Sequence, residues 1–146
     1  SCSDFHRLLE QRLPSDRQPY AIKVTGRFAS LTTRSEAAQE KPYPPLAAAL
    51  EQQVVFDFQQ VDAVLAGFWL PPVLADLNVA GFHFHAIMTD TMTGGHVLDC
   101  VVEDVDVEID ATGNLGVQLS GGNTQRPRFS VPGRGTQKQR LPLLHW

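Results

Sequence analysis

The sequence predicts an α+β fold that is mainly β, a twisted antiparallel sheet or partial barrel with one or two short helices. Three observations predict it. From Val54 onward, strand-like runs follow one another without the alternating helices of a parallel α/β sheet. Residues Val105 to Asp110 set Val105, Val107 and Ile109 against Asp106, Glu108 and Asp110, the period of a half-buried strand with an acidic outer face. Finally, GFHFHAIMTDTMTGGHVLDC, residues 81 to 100, reads as two strands about a glycine-bearing turn.

The elements follow in order. Ser3 is placed to cap a short helix whose apolar face is Phe5, Leu8 and Leu9, with Pro14 ending it. Tyr20 to Thr25 is a strand by its β-branched and aromatic content. Gly26 permits a bend or bulge before Phe28 to Thr33 continues it. RSEAAQEKPYPP, residues 34 to 45, is too polar and proline-rich for a core element and is expected as a surface loop. Leu46 to Gln53 forms a second short helix. VVFDF from Val54 is one strand and Val61 to Trp69 another, stopped by Pro71 and Pro72, which cannot donate to a ladder. After the hairpin and Val105 to Asp110, Thr112-Gly113-Asn114 turns the chain into a last strand, Leu115 to Leu119.

At 146 residues the chain is expected to form one domain over residues 1–119, followed by a basic tail, 120–146, rich in Gly, Pro, Gln and Arg. The tail holds Arg126, Arg128, Arg134, Lys138 and Arg140 and no acid, which leaves all sixteen acids in the body. Without interleaved aromatics that tail reads as a loose segment, so no nucleic-acid partner is expected. No run of eighteen apolar residues occurs, so no membrane-spanning helix and no membrane partner are expected. No charged-then-apolar leader begins the chain. The cytoplasm is the expected compartment, with a secreted mature form as the alternative. Cys2 and Cys100 are too few for a disulfide framework and are expected as free thiols, a bridge between them being the other option. Self-association as a homodimer is expected from unpaired strand edges.

The chemistry concentrates in the hairpin. His83 and His85 alternate with Phe82 and Phe84, so the two imidazoles share one face of a strand and the two phenyl rings the other. With Thr89 to Gly94 as the loop, pairing sets His96 opposite His85, and the diagonal brings His83 within reach. Three nitrogen ligands with an open fourth position are what a catalytic zinc requires. Such a metal keeps its full double positive charge and suits reactions in which substrate oxygens gain negative charge, by hydrolysis or by collapse to an enolate. Asp99 falls on the opposite face from His96 in a regular strand and is expected to stabilise the fold rather than bind metal. Arg34, where a strand runs into a polar loop, is the candidate for holding a carboxylate bidentately. GxSxG, P-loop and dinucleotide fingerprints do not occur.

The same residues carry a family resemblance. YAIKVTGRF from Tyr20, RSEAAQEKPYPPL from Arg34 to Leu46, and AGFWLPPVLADLNVAGFHFHAIMTDTMTGGHVLDC ending at Cys100 resemble, in order and spacing, the C-terminal portion of α-acetolactate decarboxylases. The resemblance implies that His83, His85 and His96 are zinc ligands and that Arg34 is the active-site arginine. It implies decarboxylation of a 2-hydroxy-3-keto acid, 2-acetolactate, to acetoin, with zinc as the electron sink and no organic cofactor. It also implies two catalytic glutamates, one in an N-terminal part without counterpart before Ser1 and one near the C-terminus, where residues after about Ser120 depart from the pattern. A zinc-dependent ester hydrolase of related fold and a non-catalytic, DNA-associated metal-binding module are the competing expectations.

Overall fold

The computed structural model describes residues 1–116 and the pair Gln139–Arg140. Its elements are α1 (Cys2–Glu10), β1 (Tyr20–Ser35), α2 (Leu46–Leu50), β2 (Val54–Leu70), a single 3-10 turn (Pro72–Leu74), β3 (Gly81–Met88), β4 (Gly94–Ala111) and β5 (Gln139–Arg140). All strand pairings are antiparallel. The expected class, a mainly β sheet with two short helices, is the one found. The 119/120 boundary and nearly all of the expected tail lie outside the described residues.

β1 is the centre of the sheet. It pairs along its length with β2 on one side and with β4 on the other. β2 pairs through its second half with β3, and β3 returns to β4 through a ladder of only three residue pairs, His85 with His96, Ala86 with Gly95 and Ile87 with Gly94. The pairings therefore close into a ring, β1–β2–β3–β4–β1, the partial barrel that the sequence left as one of two options. One face of this ring is the core. Tyr20, Ile22, Val24, Phe28, Leu31, Val61, Ala63, Leu65, Phe84, Ala86 and Met88 are buried there.

Two expected strands, Val54 to Phe58 and Val61 to Trp69, are one. Gln60, at φ 51°, sits between them. Alternation breaks at this point, so core residues lie three apart, Phe58 and Val61 in β2 and Phe28 and Leu31 in β1. A reading based on period two takes such a break for the end of a strand. Likewise Val105 to Asp110 is not separate but the second half of β4, joined across a register shift that leaves Glu103 unpaired with β1. The expected strand from Leu115 is not formed at Leu115 and Gly116, and residues 117–119 lie outside the described ones.

α1 covers the core face. Its N-cap is Ser1 rather than Ser3, in a capping box with Asp4 at the third helical position. Starting two residues earlier turns Cys2, Phe5 and Leu9 onto one buried stripe. His6 stacks on Phe82 at 4.5 Å between ring centroids, and the Trp69 indole N–H reaches Glu10 Oε1 at 3.4 Å. α2 is shorter than expected, ending at Leu50.

The cysteines are not free. Cys2 is bonded to Cys100, tying the first turn of α1 to β4 across 98 residues of sequence. Two cysteines so far apart give no spacing signal; only packing of α1 against β4 brings them together. The chain-entropy cost removed from the unfolded state by a loop of this size is roughly 4–5 kcal/mol. Replacing both cysteines with alanine should lower the urea-unfolding free energy by about 2–5 kcal/mol, and a reductant should destabilise the parent but not that variant. Equal sensitivity of the two to reductant would contradict the bond.

Candidate metal centre

β3 alternates as its sequence requires. Phe84, Ala86 and Met88 are buried and Phe82 packs at the margin of the core, whereas His83, His85 and Ile87 face away from it. His96, the third residue of β4, pairs directly with His85. The imidazoles of His83 and His85 lie parallel, with their Nε2 atoms 3.2 Å apart. His96 meets both rings edge-on, at 4.7 and 5.3 Å between centroids.

One nitrogen from each of the three rings lies within 4.8 Å of the others. A tetrahedral zinc with nitrogen ligands at about 2.0–2.1 Å separates them by roughly 3.3 Å, so the closest pair already has the spacing and His96 has only a short distance to close. The donor set fits a borderline metal that accepts imidazole, and no thiolate stands by to complete a structural shell, because both cysteines are in the disulfide. The pKa values of His83 and His96 lie below the ordinary 6.5. Loss of solvation is the main cause for both. The neighbouring imidazoles and the Arg34 charge add to it, and Glu36 partly offsets these at His96. The net effect at both residues favours the neutral imidazole, the form that binds metal.

Close backbone approach places His96. A Cβ on Gly94 would run into the carbonyl oxygen of Ala86 in β3, and one on Gly95 into the carbonyl oxygen of Arg34 in β1. The two glycines thus let the start of β4 wedge between β3 and β1.

Arg34 is brought to the same place. It pairs with His96 across the β1–β4 ladder, and directly paired residues share a face. His96 consequently stands between His85 on one strand and Arg34 on the other. Arg34 Nη1 donates to Gln53 Oε1 at 2.9 Å, and Nε lies 3.8 Å from Glu36 Oε1. Sequence reasoning named Arg34 but missed both of these neighbours. Glu36, two residues on from it, was within reach of a local reading. Gln53 gave no signal, because its position depends on how β1 pairs with β2.

Asp99 does not join the histidines. Leu98 is left unpaired with β1 between Val97 and Asp99, which breaks the regular alternation used to place Asp99 on the opposite face. Its carboxylate accepts the Cys2 backbone N–H at 3.2 Å, a fold-stabilising contact at the start of α1.

The sequence pattern of the alpha-acetolactate decarboxylase family matches residues 1–126. The chain belongs to the alpha-acetolactate decarboxylase family. The match takes in α1, which lies before the resemblance that begins at Tyr20. An alpha-acetolactate decarboxylase of Bacillus licheniformis is 37% identical over 121 residues, covering 83% of this chain and 47% of the relative. One from Methanosarcina mazei is 42% identical over 117 residues, 80% of this chain and 41% of the relative. The crystal structure of the Bacillus subtilis strain 168 enzyme superposes with a TM-score of 0.76 at 37% identity, over 84% of this chain and 51% of that one. This member of the family thus spans about half the length of the curated relatives it matches.

Substituting Gly94 with alanine, whose Cβ would meet the backbone carbonyl of Ala86, should force the start of β4 away from β3 and weaken metal binding at least tenfold by separating His96 from His85. A competition titration against a chromophoric chelator measures it. Unchanged affinity would mean that the close approach does not set the site.

Proposed function

We propose that the chain carries the metal-holding part of an acetolactate decarboxylase, that zinc is the metal, and that 2-acetolactate is converted to acetoin at this centre. The observation that carries the reading is the constellation itself, three imidazoles sharing a face with Arg34, in a chain of this family.

Zinc held by His83, His85 and His96 would supply a Lewis acid for substrate oxygens that gain negative charge. The protein's own groups do the rest. Imidazole ligands are neutral, so the full cationic charge of the ion would stay undiminished, and the surroundings of His83 and His96 favour that neutral form. Arg34 binds the substrate carboxylate and orients it, and after carbon dioxide leaves, the same cation stands beside the charge that remains. Exposed Val55 and Phe68, cross-strand partners of Arg34 and His83, line this face with apolar surface and reduce the water around the reacting carbon. Among the described residues the histidine cluster contains no carboxylate, so the proton that completes acetoin comes from outside it.

Two further readings accompany the reaction. Assembly as a homodimer would use strand edges left unpaired among the described residues, such as the first half of β2, which pairs with β1 alone and carries exposed Val54 and Phe56. The Cys2–Cys100 bond favours an oxidising compartment over the cytoplasm. No helix among the described residues is long and apolar enough to cross a membrane.

The test is acetoin release from 2-acetolactate by the zinc-loaded chain, with p-nitrophenyl acetate as the control substrate. Acetoin should form only with metal and fall at least a hundredfold in His96→Ala. Ester cleavage without acetoin would overturn the reading in favour of a hydrolase.

A further inference from the structure

Arg34 lies in an arrangement that its strand position alone does not explain. Its side chain is 26% exposed, and its three nitrogens are treated differently. Nη1 is held by the Gln53 side-chain carbonyl. Nε is buried and has no hydrogen-bond partner. Glu36 sits 3.8 Å from it, close enough to balance charge but too far to accept the hydrogen. Nη2 has no hydrogen-bond partner among the described residues. A buried charged donor without an acceptor is costly, and persists where something else is meant to satisfy it.

We propose that Arg34 is a pre-set carboxylate clamp whose working edge is Nε–Nη2, positioned by Gln53 through Nη1 and restrained by Glu36. The inference rests on the decarboxylase reading and adds two positioning residues to it. The geometry of the guanidinium supports the choice of edge. Nε–H and one Nη2–H point the same way and fit the two oxygens of one carboxylate. Gln53 occupies the opposite side, so it fixes the plane of the group without blocking that edge. Both neighbours stand on firm backbone. Gln53 immediately precedes β2, whose first residues Val54 and Val55 pair with Ser35 and Arg34, and Glu36 follows directly on the end of β1.

The two neighbours should act in opposite directions. Gln53 orders the clamp, so removing it weakens carboxylate binding. Glu36 is a like charge beside an incoming carboxylate, so neutralising it strengthens binding. A merely structural role for either residue would not give opposite signs.

The experiment uses the full chain loaded with cobalt in place of zinc, titrated with 2-hydroxyisobutyrate and followed by the visible cobalt spectrum. Gln53→Ala should weaken binding about tenfold, with partial recovery in Gln53→Asn, and Glu36→Gln should tighten it severalfold. Cobalt affinity and thermal unfolding should be unchanged in all three. Equal binding by parent and variants overturns the proposal. So does loss of cobalt or of fold along with loss of the ligand, which would make the two residues structural. If the opposite effects appear but the zinc-loaded parent releases no acetoin, the clamp stands and the decarboxylase reading falls.

Discussion

The three-residue ladder between β3 and β4 is the constraint on which the rest of the site depends. It is the shortest join in the ring, and it carries His85 opposite His96. The ladder is possible only because Gly94 and Gly95 bring no Cβ into the space between β3 and β1. From that one close approach follow both neighbours of His96, an imidazole on one strand and a guanidinium on the other.

The centre lies on the face of the sheet turned away from the core, which divides the labour of β3. Phe82 and Phe84 take the stacking of His6 and the packing of α1, while His83 and His85 look outward. Core packing therefore fixes the backbone that presents the two histidines without touching them. The disulfide strengthens the same division, since it fastens α1 over the phenyl rings from a point four residues beyond His96. Around the ligands the outward face carries Val55 and Phe68 half exposed, an apolar setting in which charges act over longer range than in water.

What was legible in the sequence was local. Alternation over GFHFH assigned faces to two histidines, and a short glycine-bearing turn put the third in register; each inference spans fewer than twenty residues. The strand content and the two short helices were legible for the same reason. What was not legible came from contacts distant in sequence. The pairing of Arg34 with His96 links β1 to β4, and the cysteine pair spans nearly the whole described chain. Gln60 hid the unity of β2, because a single residue at positive φ inverts the period that sequence reading follows. Its place at a strand end marked Arg34 as a candidate and the family resemblance made it a site residue, but neither gave what holds it.

On the proposed reading, His83, His85 and His96 together bind one zinc ion through nitrogen. Zinc-edge X-ray absorption on the chain loaded with one equivalent tests it most directly. Three nitrogen ligands at about 2.0–2.1 Å with the multiple-scattering signature of imidazole, plus one further light atom, are expected. A spectrum with fewer than three imidazoles, or a chain that holds no stoichiometric zinc, would contradict it.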